Sequence, residues 1–259
     1  MTRVSKTTIT RRTFNAGALA AAATIGAPAI VRAQSARLKV GILVPRSGLQ
    51  AQLGQAMQRG HDVAAEVLKE LGYPDIEWVP GDTETSIDIA RSAAERLIGA
   101  GCNVITGCFD SGQTTAVDQV CEQKKTPFLV SIAAAPQITE QGYKYVFRNF
   151  VRAQEVVRDA FNLQKELFAT TGKTPQTAVL MNINDTYGTS VVGAIDKMAP
   201  DFNMPFKIVE RISYDPGARE LSTEVAKAKA SGAQHLWVIG RLNDAMLLTR
   251  EMEIGRAHV

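Results

Sequence analysis

The chain has little with which to build a metal centre: three cysteines and three histidines in 259 residues, none at the spacing of a ligand set. No metal and no cofactor is expected. A dinucleotide site is excluded by the lack of Gly-x-Gly-x-x-Gly after the first apolar strand. The Gly-x-Ser-x-Gly elbow of many hydrolases is missing around Ser111, where Phe109 stands in the place of the first glycine. His61 falls in a helical pattern, His235 at a strand start and His258 in the last seven residues, so neither Ser111 nor Cys108 has a base at hand. An enzyme is not expected. Long apolar runs are scarce too: beyond the N-terminal stretch, no segment approaches the ~18 residues needed to span a bilayer.

Acidic residues are absent from residues 1–34, which carry Arg3, Lys6, Arg11, Arg12 and Arg32. Of 29 Lys+Arg and 26 Asp+Glu in the whole chain, the remainder keeps 24 against 26, so no basic face for nucleic acid or anionic lipid is indicated. The stretch itself reads as an export signal. Thr10-Arg11-Arg12-Thr13-Phe14 is a twin-arginine pattern, followed by an uncharged, alanine-rich run and by Val31-Arg32-Ala33, where a signal peptidase would cut. Gly17, Gly26 and Pro28 interrupt that run, which argues against an anchor. Residues 1–33 are therefore expected to be removed on export to a bacterial periplasm.

What is present from Arg37 onward is a regular alternation of strand and helix in a chain that is 45% hydrophobic, enough for a sizeable core. Residues 38–45 form a continuous apolar run of the kind buried on both faces of a sheet. Leu49, Leu53, Met57, Ala64, Leu68 and Leu71 then recur at helical spacing. Strands are expected at 76–80, 103–106 and 127–132, with helices between them, the third running 111–125. An extended segment at 143–149 breaks the rhythm and is read as a crossing strand. The alternation restarts with strands at 177–182, 206–213 and 235–239, and helices at 153–168, 190–198, 220–230 and from 243. The fold class is α/β: two Rossmann-like lobes with parallel sheets, at 37–149 and 150–252.

Parallel sheets bind ligands at the carboxyl ends of their strands. Three polar or small-residue loops lie there: 46–48, 108–111 and 131–135. Ser111 opens a helix, and the free amides of a helix N-terminus suit a carboxylate; Ser111 is equally suited to capping its own helix. Cys102 and Cys121 are placed to approach each other, leaving a disulfide or free buried thiols as the alternatives.

The succession VGILVPRSGLQAQLGQAMQRG, DTETS, VITGCFDSGQT, FLVSIAAAP with ITEQGYKYVFRN, and NDTYG resembles the type I periplasmic solute-binding proteins of ABC importers, the branched-chain amino acid binding family. The resemblance covers residues 37–252. It implies a two-lobed monomeric clamp that closes on a small solute and delivers it to an inner-membrane permease. Nucleic acid is not an implied partner. By resemblance, Ser111 and the backbone of the loop through Ser131, Ala133 and Ala134 hold a ligand carboxylate, and Tyr187 closes over it.

This chain departs from the pattern in places that bear on the ligand. The loop reads Ala133-Ala134-Ala135, without the hydroxyl residue that often follows paired alanines in that family. Arg46 stands where an apolar residue is usual and is a candidate partner for a ligand carboxylate. Asp110 can receive an ammonium group or make a local turn contact, and Arg241 is a further cleft candidate. The family's acidic residue for an amino acid's ammonium falls later than this sequence extends. Residues 253–259 back-translate to a widely used sequencing adapter, so the natural chain is expected to continue past Met252 and the second lobe to be incomplete here. A ligand-binding sensor lobe of the same fold is the rival reading.

Overall fold

The computed structural model describes residues 37–254, so the expected signal sequence and residues 255–259 lie outside it. The chain lays down β1 (Leu38–Val44), α1 (Ala51–Glu70), β2 (Ile76–Asp82), α2 (Ile87–Gly99), β3 (Val104–Gly107), α3 (Ser111–Lys124), β4 (Phe128–Val130), α4 (Gln137–Glu140) and β5 (Val146–Arg148). It continues with α5 (Ala153–Thr171), β6 (Thr177–Ile183), α6 (Thr186–Phe202), β7 (Lys207–Tyr214), α7 (Ser222–Ala230), β8 (His235–Ile239) and α8 (Leu242–Ile254). The first sheet has the order β2-β1-β3-β4-β5 and the second β7-β6-β8, and every pairing is parallel. The α/β class with two parallel sheets is as expected.

In both sheets the first strand formed is flanked by the second on one side and the third on the other. Strand order therefore reverses between β1 and β3 and again between β6 and β8. At such a point the two following helices leave on opposite faces and open a crevice above the strand ends. The loops after β1, β3, β6 and β8 thus frame the place where a ligand can sit.

Each sheet is packed on both faces. Leu43, Ile105, Phe128 and Val130 join Ala90, Ala94 and Leu97 of α2 and Val117, Val120 and Cys121 of α3 in the first core. The second is aromatic: Phe161 of α5 stacks on Phe202 with ring centroids 4.9 Å apart and meets Trp237 of β8 edge-on at 5.2 Å. Burying one such ring contributes about 1.5–3 kcal/mol.

Several expectations are corrected. Ser111 does not cap α3: Asp110, in an extended conformation, accepts from the N–H groups of Gly112 (2.8 Å) and Gln113 (3.0 Å), and Ser111 is the first helical residue. A carboxylate one position earlier wins because it reaches two free amides at the positive helix end. The segment read as crossing becomes β5, parallel to β4 at the edge of the first sheet. Helix α6 begins at Thr186 rather than 190, because Asp185 caps it by accepting from Gly188 N–H at 2.8 Å. Cys102, Cys108 and Cys121 are all free and buried, so no disulfide forms between Cys102 and Cys121.

Candidate functional site

Two helices reach the cleft with closely approaching N-terminal turns. Gly54 of α1 lies against the Pro45 carbonyl and Gly188 of α6 against the Ile183 carbonyl; a Cβ on either would overlap that oxygen. Each glycine lets its helix start directly over the end of the preceding strand.

The strand-end loops bring three charges together. Asp110 follows β3, Asp185 follows β6 and Arg241 follows β8. Arg241 Nη2 donates to Asp110 Oδ2 at 2.6 Å, and Nη1 is paired with Asp185 Oδ2. The three side chains are only 8%, 13% and 17% exposed for Arg241, Asp110 and Asp185. Both aspartates also cap helices, so their charge is shared between the guanidinium and the positive helix ends. The guanidinium carbon lies 5.9 Å from the centroid of the Phe109 ring and 5.5 Å from that of Tyr187, within reach of a cation–π attraction.

A second layer fixes this arrangement. Arg241 N–H donates to Asp244 Oδ2 at 2.8 Å, and the Tyr214 hydroxyl donates to the same oxygen at 3.3 Å. Burial, with Asp244 alongside, pushes the Tyr214 phenol well up, so it remains a donor. Burial also raises Tyr187, against the opposing pull of Arg241. Two further contacts cross the cleft: Asn243 Nδ2 donates to the Leu49 carbonyl at 2.9 Å, and Ser190 Oγ lies 3.5 Å from Gln137 Oε1.

Beside the charged group is a cavity of about 280 Å³. The first sheet's loops and α1 supply Leu53, Phe109, Ile132 and Ala134; the second lobe supplies Tyr187, Gly240, Arg241 and Leu242; Phe150 and Val156 close it where the chain crosses over. Its wall is apolar and aromatic with one guanidinium. A hollow of about 460 Å³ against Leu167, Phe168, Lys173 and His235 lies at the amino ends of the second sheet's strands and meets none of the predicted residues.

Of the residues singled out in the sequence, Ala134, Tyr187 and Arg241 line the cavity, and Asp110 holds Arg241. Ser111 is 1% exposed and off the cavity wall, its Oγ accepting from Ala135 N–H at 3.4 Å. Ser131 and Ala133 are also off the wall: Ser131 N–H donates to the Gly107 carbonyl, and the Ala133 carbonyl accepts from Arg148. The Arg46 side chain is exposed and lines no part of the cavity; its backbone N–H is held by Asp82 Oδ1 at 2.9 Å. Asp185, Phe109, Phe150 and Arg148 were not foreseen. An Asp two residues before Tyr187-Gly188 is a capping signal that would have located Asp185. Among the described residues no group of three or more His, Cys, Asp or Glu side chains could hold a metal ion, and no helix is long and apolar enough to cross a membrane.

A model of the periplasmic binding protein family matches residues 37–253. Curated relatives include Leu/Ile/Val-binding protein homolog 8 of Brucella abortus, 28% identical over 228 residues covering 86% of this chain and 56% of the relative. Homolog 7 of Brucella suis is 29% identical over 229 residues, 85% of this chain and 56% of the relative. The chain thus spans a little over half the length of the curated relatives it matches. Those relatives are binding proteins rather than enzymes. Among solved structures, an R. palustris solute binding protein in complex with benzoate superposes with a TM-score of 0.72 at 22% identity, covering 85% of this chain and 60% of that one. A leucine binding protein of Thermotoga maritima superposes with a TM-score of 0.71 at 19% identity, covering 84% and 60%. At that identity the superpositions speak to the fold, which agrees with the sheet order and helix placement described above. With the family match spanning nearly all of the described residues, the chain belongs to the periplasmic binding protein family, in its type I, Leu/Ile/Val-binding-like branch.

Proposed function

We propose that this chain is the substrate-binding component of an ABC importer, exported through the twin-arginine route to the periplasm, where it captures a small carboxylate-bearing solute for an inner-membrane permease. The observation that carries the reading is the ion pair of Arg241 with Asp110 beside an apolar cavity: a buried charge pair joins the two lobes where a solute would be enclosed. Closure of two lobes is favoured by a ligand only through contacts made to both at once. Here such a ligand would lie between Ala134 and Phe109 of one lobe and Tyr187 and Arg241 of the other.

The cavity's volume of about 280 Å³ lies just below the range of roughly 300–1,000 Å³ usual for small-molecule sites, which suits a branched-chain amino acid or a single-ring acid. Arg241 directs one N–H to each aspartate, and its other side-chain N–H groups, without an acceptor among the described residues, are donors for a ligand carboxylate. Tyr187 covers apolar ligand surface with its ring and keeps a hydroxyl for a polar group. Ser111, Ser131 and Ala133 act by supporting the loop that carries Ala134. Exposed Arg46 stays outside the proposal. The relatives' own ligands, leucine and benzoate by name, are the first solutes to try.

A thermal-shift screen of branched-chain amino acids, their amides, and aromatic and dicarboxylic acids tests the reading, with calorimetry on every hit. A solute at about 100 times its Kd should stabilise the protein by about 2.7 kcal/mol. Arg241→Ala should then weaken binding at least tenfold, about 1.4 kcal/mol. A cooperatively folded protein that none of these solutes stabilises would overturn the reading.

A further inference from the structure

One guanidinium behind the cleft wall organises the loop that forms it. Arg148, at the end of β5, is half-buried, and its side chain reaches back over the loop that follows β4. Nη1 donates to the Ala133 carbonyl at 3.2 Å, and Nη2 donates to the Ala135 carbonyl at 2.9 Å and to Thr139 Oγ1 at 2.8 Å. The loop's carbonyls are thus drawn to one side.

A trans peptide is planar, with its C=O and N–H pointing in opposite directions. Because the Ala133 carbonyl faces Arg148, the N–H of Ala134 faces the other way. Ala134 lies on the cavity wall, and its N–H has no acceptor among the described residues. The rest of the loop cannot easily turn it: Ala135 N–H is held by Ser111 Oγ, and the Ala134 carbonyl accepts from Ala153 N–H at 2.9 Å. A peptide whose oxygen carries a charge-assisted hydrogen bond is polarised, and its N–H becomes a stronger donor.

The charge behind the loop is also weakly compensated. The acid nearest to it in the core, Asp118 of α3, is fully buried, and neither carboxyl oxygen has a hydrogen-bond partner. Burial pushes that carboxyl up to about 8, against the opposing pull of Arg148, so near pH 7 it stays largely protonated. Glu140 and Glu155 are paired with Arg152 instead.

We infer that Arg148 is a positioning residue of the cleft, holding and polarising the Ala133–Ala134 peptide so that the Ala134 N–H receives a carboxylate oxygen of the solute. The inference rests on the proposed solute-binding function and deepens it. Arg148 touches no ligand itself. Its effect is selective: it favours an anionic carboxylate over the neutral amide of the same shape, because only the anion gains fully from a polarised donor with a cation behind it.

Two matched pairs of probes test this on the full chain by calorimetry: benzoate with benzamide, and leucine with leucinamide. Arg148→Gln should reduce affinity for the bound carboxylate at least tenfold while changing affinity for its amide less than threefold. Arg148→Lys, which keeps the charge but cannot span two carbonyls, should fall between. In the 15N-resolved spectrum, the Ala134 amide proton should move downfield when wild-type protein takes up the carboxylate, and less so in Arg148→Lys; this reading stands even where Arg148→Gln fails to fold. An equal loss for carboxylate and amide, or an Ala134 resonance that does not respond, would overturn the inference and leave the transport reading intact. Wild-type protein that binds neither carboxylate would overturn both.

Discussion

The two lobes solve the same problem with different interiors. Each flanks its first-formed strand with the next two, sets a glycine in the first turn of the next helix against a carbonyl, and aims its third strand's loop at the cleft. Gly54 and Gly188 are counterparts, and so are the loops holding Asp110 and Arg241. The interiors differ. The first lobe packs aliphatic residues and alanine around one fully buried ring, Phe128, and keeps an acid with no partner among the described residues, Asp118, in its core. The second packs Phe161, Phe168, Phe206 and Trp237 around His235. The cleft geometry is thus set by what the lobes share, and stability by what they do not.

The chain's two tryptophans make this testable, since Trp78 lies in β2 and Trp237 in β8; replacing one with Phe leaves a reporter in a single lobe. The largest effect is expected from core truncation. Phe128→Ala in the first lobe and Phe161→Ala in the second should each cost about 3–5 kcal/mol in denaturant unfolding, seen by the reporter of the same lobe. If either substitution shifts both reporters equally, the lobes unfold as one unit and the comparison of separate interiors breaks.

A smaller and matched effect is expected at the shared glycines. Gly54→Ala and Gly188→Ala should each destabilise by about 2–3 kcal/mol, because the added methyl meets backbone that cannot step aside. One glycine tolerating alanine would show that the two helix starts are not equivalent after all.

The pH response should separate the lobes next. Asp118 holds its proton to about pH 8 in the folded protein, but an unfolded Asp releases it near pH 4. The folded state therefore binds the extra proton between these values, and stability falls as pH rises through that window, by at most about 1.4 kcal/mol per unit. Asp118→Asn should flatten the Trp78-reported curve there. His235 works the other way: burial depresses its pKa, so the unfolded chain takes up the proton first and stability falls as pH drops below about 6.5. His235→Phe should remove that smaller acid-side loss from the Trp237 curve. The same pH slope from both reporters would contradict the assignment of one titrating group to each lobe.

Much of the fold was legible because parallel strands buried on both faces read as apolar runs, as in residues 40–45 and 178–181. The site was legible only in part. Tyr187 and Ala134, which line the cavity, were singled out through motif order, and Arg241 through its place after a strand. What Arg241 touches was not readable, since its partner Asp110 lies 131 positions away. Asp110 and Ser111 are adjacent and both able to cap, and only the backbone turn decides between them. Asp118 looks like any acid on a helix until the fold buries it completely. Arg148 reads as a strand residue, because three of its four hydrogen bonds go to carbonyls of a loop whose path no local pattern fixes.

The separation of the sheets along the chain also orders their making. Every strand of the first lies between residues 38 and 148, and every strand of the second between 177 and 239. A polypeptide leaving the ribosome N-terminus first therefore holds all five described strands of the first sheet before the second begins, and folding lobe by lobe is open to it. The cleft's ion pair is last in line. Asp110 and then Asp185 are in place as helix caps before Arg241 is synthesised, so a nascent chain paused between them exposes two carboxylates awaiting one cation. Until Arg241 emerges, the two halves share the Ser190–Gln137 contact but lack both the cation that joins their aspartates and the wall that Gly240 to Leu242 complete.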